Sequence, residues 1–293
     1  MSRYSLHIGG MFVKYKNPLV LIFGKYYNSL MVKRSFEVAK KARWLWIYGI
    51  LLGAGNLSGN IGRGISPQDL QNLPGGLPDV FSNLERVFSN WVIQLTPAQI
   101  ITFFASITIF GLFSLSISFV LSSWAQGSLI FGSELALSGK APTLENTSPH
   151  GLRNFMKLLI FNSISFVIAI IAFPLIIFLP GVSIYGPRAI VLKNYTPWNA
   201  WKIGLKMTWA NFWKTLKVGL TSVVLSGLMG ITATLVILIF LGVPGYFLYT
   251  INAYPPILLL FLIFISAITI INGFIAVFKT TLWNQVFKET WKE

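Results

Sequence analysis

The chain has 293 residues, 54% hydrophobic and only 11% charged, where an ordinary soluble domain carries about a quarter charged residues, so its main body is not that of a water-soluble globular protein. Lys and Arg number 23 against 8 Asp and Glu, a formal net charge of +15. The absence of cysteine excludes disulfides, thiolate metal sites and a cysteine nucleophile.

Four stretches hold no Asp, Glu, Lys or Arg: Trp44 to Gly62, Val87 to Ser133, Leu158 to Pro187 and Val218 to Phe278. A helix needs about 20 apolar residues to cross about 30 Å of hydrocarbon, and backbone polar groups in lipid must pair internally, so these gaps predict transmembrane helices. In chain order, residues 1–43 form a basic leader holding nine of the 23 basic residues, with Ser29 to Arg43 an amphipathic helix. Its apolar stretch Pro18 to Phe23 is too short for a signal peptide. The first span runs from Trp44 to about Ile61, and a polar external loop covers 62–97, with short helices around Asp79 to Gln94. The second span runs from about Ala98 to Gln126, the polar connection from Ser138 to His150, and the third span from Leu152 to Leu179.

Val182 to Leu192 is too short for an ordinary span, and Gly186 and Pro187 interrupt it. Charge decides its reading. If the segment returns across the membrane as a short broken helix, 21 of the 23 basic residues share the side of both termini; if it does not, the split is 12 against 11. Cytoplasmic loops are enriched in Lys and Arg, which favours six crossings with both termini cytoplasmic. Thr196 and Pro197 then start a helix with a hydroxyl cap and a first-turn proline. On this interfacial helix, 197–213, Trp198, Trp201, Leu205, Trp209 and Phe212 form one stripe flanked by Lys202, Lys206 and Lys217. The fifth span runs from about Leu216 to Leu241, an outer turn from Gly242 to Pro256, the sixth span from Ile257 to Phe278, and a cytoplasmic tail over 279–293. Pro180-Gly181 and Pro244-Gly245 read as paired turn signals after the third and fifth spans. The expected fold is an all-α polytopic transmembrane bundle, a single six-span domain over 44–278 with amphipathic helices at the interface.

Ionisable residues at membrane depth are functional candidates, and few are available. His7 and His150 are far apart in sequence, and no HExxH, P-loop or GxSxG pattern occurs. Glu134 lies just past an apolar run, with Lys140 and Arg153 as expected ion-pair partners. Arg188 stands beside Pro180, Gly181, Gly186 and Pro187; broken helices line substrate paths in transporters, while the plainer reading is an arginine snorkelling to the interface. Small residues at four-residue spacing, including Gly49 and Gly53, Ser114, Ser118 and Ser122, and Ser222, Ser226 and Gly230, predict close helix packing.

The stretches "GSLIFGSELALSGKAPT", "FLPGVSIYGPRAIVLKN" and "TPWNAWKIGLKMTWANFWKTL" resemble, over about Phe36 to Phe278, a family of prokaryotic six-span proteins best known as the membrane domain attached to some glycerophosphoryl diester phosphodiesterases. Gly204 departs from the serine usual there. The resemblance implies a fold and a basic cytoplasmic helix in a prokaryotic cytoplasmic membrane; it carries no activity, because the phosphodiesterase reaction belongs to a separate domain rich in Glu, Asp and His. The expectation is therefore a non-enzymatic scaffold or accessory protein without cofactor or metal. Lys202, Lys206, Lys214 and Lys217 are the candidate contacts to anionic lipid head groups or a partner. A homo-oligomer or a membrane-protein partner remains open, and no nucleic-acid partner is expected. The alternative is a transporter with a path at Pro180, Gly181, Pro187, Arg188 and Glu134.

Overall fold

The computed structural model describes residues 7–8, 11–12, 29–60, 96–171, 178–250 and 254–291. The short helices expected around 79–94, and nearly all of the external loop, lie outside them. What is described is helical apart from a two-residue antiparallel pair, His7–Ile8 (β1) with Met11–Phe12 (β2). The helices are α1 (Ser29–Lys41), α2 (Leu45–Asn60), α3 (Pro97–Leu137), α4 (Leu144–Ile171), α5 (Leu179–Lys193), α6 (Pro197–Ala210), α7 (Phe212–Ile237), α8 (Val243–Thr250) and α9 (Tyr254–Thr290). Among the described residues, four helices are long and apolar enough to cross a membrane: α3, α4, α9 over Leu262–Thr290, and a continuous helix over Phe212–Gly245.

Local chemistry sets several helix ends. Thr96 and Gln99 form a reciprocal capping box, with the Thr96 backbone N–H donating to Gln99 Oε1 (2.8 Å) and the Gln99 N–H donating to Thr96 Oγ1 (3.4 Å), and Pro97 begins α3. The same Thr-Pro pair starts α6, but there the Thr196 hydroxyl makes no cap hydrogen bond, contrary to expectation. Pro180 and Pro244 stand in the first turns of α5 and α8 rather than at turn apices, where a missing N–H costs least. A π turn at Leu238–Gly242 joins α7 to α8, so the expected outer turn begins as helix.

Several elements outrun their expected ends. α3 continues eleven residues past Gln126, α4 begins eight residues before Leu152 with Pro149 inside it, and α9 continues past Phe278 to Thr290. These extensions build the core. Along α3 the large side chains from Ile101 to Leu121 are largely exposed, whereas Ser123, Ala125, Ser128, Leu129, Ile130 and Ser133 are buried. One cluster joins α1, α2, α3 and α9 through Ala39, Leu45, Tyr48, Leu129, Phe278 and Leu282. A second joins α4, α5, α6 and α9 through Phe161, Val182, Tyr185, Ile190, Trp201 and Phe287. Apolar helices therefore project from a packed end, each presenting side chains outward as lipid-facing spans do.

Small residues set the closest approaches, as the four-residue spacing predicts. A Cβ on Gly49 would stand 2.5 Å from the Gly273 carbonyl oxygen, so α2 crosses α9 with backbone nearly against backbone. Gly127 on α3 likewise faces Gly151 on α4, 3.2 Å from a built Cβ to Cα. Several polar groups inside the bundle pair across helices. Asn162 Nδ2 donates to Ser123 Oγ (3.1 Å), Gln285 Nε2 donates to Ser35 Oγ (2.8 Å), and the hydroxyls of Tyr48 and Thr147 lie 3.1 Å apart.

Candidate functional site

The packed end is also the charged end. The described lysines and arginines belong to α1 and the turn after it, the α3–α4 connection, the first half of α4, α5, α6, the first two turns of α7 and the last third of α9. Contacts draw these pieces together. Arg34 Nη2 donates to the Leu137 carbonyl (3.1 Å), Lys157 Nζ to Asn194 Oδ1 (2.6 Å) and Lys214 Nζ to Glu289 Oε2 (3.0 Å).

α5 and α6 form an antiparallel hairpin on this end. The break expected at Gly186 and Pro187 does not occur: α5 is one helix from Leu179 to Lys193. Pro187 has no N–H for the Ser183 carbonyl, but tight packing holds the helix through that gap. The hairpin closes on small residues. Thr208 fills the space a side chain at Gly181 would need, the Phe161 ring does the same at Gly186, and a Cβ on Gly204 would lie 3.3 Å from Gly186 N and Val182 Cα. The stripe of α6 that packs on the protein is accordingly Ala200, Trp201, Gly204, Met207 and Thr208, which shares only Trp201 with the interfacial stripe read from the sequence. Trp198 and Trp209 point outward, 51% and 70% exposed. The small-residue spacing at 200, 204 and 208 was the signal for this face.

Arg188 is buried rather than snorkelling. Its Nε donates to Asn284 Oδ1 (2.9 Å), Nη1 to the Ile184 carbonyl (2.6 Å) and Nη2 to the Thr280 carbonyl (3.2 Å). No carboxylate among the described residues pairs with it. A buried cation needs its hydrogen bonds made, and here neutral oxygens supply them. Asn284 in turn donates Nδ2 to the Ile130 carbonyl (2.8 Å), tying α5, α9 and α3 at one residue. The sequence reading missed Asn284 by treating everything after Lys279 as tail, although Val277, Phe278, Leu282, Val286 and Phe287 continue a helical apolar repeat there.

Glu134 pairs with Lys288, not with Lys140 or Arg153. The reason is register: Asn284 meets Ile130, so one turn further along each parallel helix Lys288 meets Glu134. With the two side chains 22% and 54% exposed, Lys288→Ala is expected to lower stability by at most about 1 kcal/mol in a denaturation curve, as partly solvated pairs do. His150, expected in a loop, lies inside α4 and stacks on Phe131, ring centroids 3.6 Å apart.

The remaining candidates lie apart. Lys202 and Lys206 are exposed on α6, Lys202 over the Trp198 ring at 5.5 Å from its centroid. Lys217 is exposed on α7, and Lys214 is held by Glu289. Pro180 is exposed at the start of α5, while Gly181, Pro187 and Arg188 are buried in packing contacts. No group of three or more His, Asp or Glu able to hold a metal occurs among the described residues.

The fold and site define a helical chain with four helices suited to crossing a membrane and a packed, basic end. No family model, curated protein or solved structure matches it.

Proposed function

We propose that this chain is a non-enzymatic, multi-pass scaffold or accessory protein of a prokaryotic cytoplasmic membrane, whose basic end contacts anionic head groups on the cytoplasmic side. The observation that carries this reading is the gathering of the described basic residues at one packed end. Exposed Lys202 and Lys206 there are accompanied by Trp198, Trp209 and Trp213, which are 51%, 70% and 70% exposed. Tryptophans gather at head-group level, and each lysine near an anionic surface contributes about 1 kcal/mol of attraction. A fourfold Lys202, Lys206, Lys214 and Lys217→Gln variant is expected to retain fewer phosphatidylglycerol molecules than wild type after detergent purification, counted by native mass spectrometry. Equal retention by the two proteins would sink the reading.

The same reading takes the topology as six passages of the chain, with α5 returning it to the basic side. The α5 contacts to Trp283 and Thr280 and the Tyr195 contact to Trp291 support this, since these partners lie within the last third of α9. The chain lacks cysteine, so single cysteines can be introduced without background. A cysteine at Lys206 is expected to resist an impermeant thiol reagent in intact cells and one at Val243 to react; the reverse pattern would refute the topology. A solute path along Pro180 to Arg188 is the weaker reading, because Thr208 and Phe161 already fill the space beside Gly181 and Gly186.

A further inference from the structure

An open cavity of about 520 Å³ lies between α2, α7 and α9 on the outward face of the apolar helices, and its wall includes Trp46, Leu225, Met229, Ile271, Phe274 and Ile275. Of its lining residues only Thr232 carries a hydroxyl, and none carries a charge. The groove has a direction. Its basic end is marked by Trp46, whose Nε1 donates to the Ala39 carbonyl (2.8 Å), and by Phe36 of α1, whose ring meets that of Phe274 at 5.4 Å between centroids.

Beyond Ile275 on the same edge of α9 stands Lys279, one turn nearer the basic end. That edge faces α7: Ile275 Cδ1 lies 3.9 Å from a Cβ built on Gly230, and Trp283, one turn past Lys279, packs with Val218. Lys279 is only partly exposed, and no ion pair or hydrogen bond to its ammonium occurs among the described residues. A partly buried cation at one end of an uncharged, outward-opening groove is complementary to a molecule with an anionic head and an apolar tail. On this basis we infer that the α2/α7/α9 groove binds a single anionic phospholipid, its acyl chain against Leu225, Met229 and Ile271 and its phosphate on Lys279 Nζ.

This site rests on the membrane reading above but is separate from the surface lysines of α6 and α7. The test uses the full chain, delipidated in detergent and titrated with phosphatidylglycerol or phosphatidylcholine, with bound lipids counted by native mass spectrometry. Wild type is expected to hold one phosphatidylglycerol more tightly than any phosphatidylcholine. Lys279→Gln should weaken that lipid about fivefold, Lys279→Arg should retain it, and Ala233→Phe, which projects a ring into the groove, should remove it. The fourfold lysine variant should keep this tight lipid while losing the others. Undiminished phosphatidylglycerol binding in both Lys279→Gln and Ala233→Phe would overturn the site and leave the surface reading standing. Retention of the weaker lipids by the fourfold variant at the wild-type level would sink the surface reading and leave the site standing.

Discussion

An Asn284→Leu variant is expected to unfold far more readily than wild type, by about 3 to 5 kcal/mol, the scale on which removing one partner of a buried charge is felt. Leucine has similar volume, so little of this loss comes from packing. It comes from the Arg188 guanidinium, which keeps its two carbonyl acceptors but loses the Asn284 oxygen at Nε. Arg188→Met should cost less, because the Ile184 and Thr280 carbonyls lie within helices that already use them. Arg188→Met combined with Asn284→Leu should then be more stable than the sum of the two losses implies, and a double-mutant cycle of denaturation midpoints in detergent measures the difference. Strict additivity would show that Asn284 acts through Ile130 alone.

Gly49→Val is the second substitution with a large expected effect. Because the nearest atoms to a new Cβ are the Gly273 carbonyl oxygen at 2.5 Å and its Cα at 2.9 Å, no side-chain rotation can relieve the clash. α2 and α9 must separate, and the loss should reach or exceed the roughly 1 to 3 kcal/mol typical of an overfilled core. Gly111→Val on α3 is the matched control, with nothing within 4 Å of a built Cβ. A thermal aggregation midpoint lowered by the first substitution and unmoved by the second is the expected result. Similar midpoints for both would show that the α2–α9 contact is loose enough to accept a side chain.

The apolar helices were legible in the sequence because lipid imposes a composition on every residue facing it, and the charge-free gaps follow that composition. Their ends were not legible where a helix leaves lipid and enters protein. Past Gln126 and past Phe278 polar residues reappear, which reads as an exit into water, yet Ser128, Ser133, Thr281 and Asn284 are buried against neighbouring helices. Gly186 and Pro187 misled for a related reason: both are helix breakers in isolation, and tertiary contacts with Phe161, Gly204 and Ala200 override them. The tryptophan periodicity of α6 shows an interfacial face but not the face that packs, because close packing selects the smallest residues, Ala200, Gly204 and Thr208. Of the candidate site residues, Lys202, Lys206, Lys217 and Pro180 are exposed, whereas Gly181, Pro187 and Arg188 are buried in packing that the sequence did not reveal.

At 1.5 Å per residue the 41 residues of α3 extend about 61 Å, roughly twice the thickness of bilayer hydrocarbon. In the proposed topology its outer stretch lies in acyl chains, and the remainder containing Ser123 to Leu137 would reach into the head-group layer and the water beyond. The two lengths of this one helix are thus held by unlike forces, the outer by immersion in oil and the inner by the tendency of water to expel apolar surface. Urea acts on apolar and peptide groups that water can reach, so it should loosen the inner length first while the outer one stays helical. That order of melting would be a signature of a protein with a foot in each solvent.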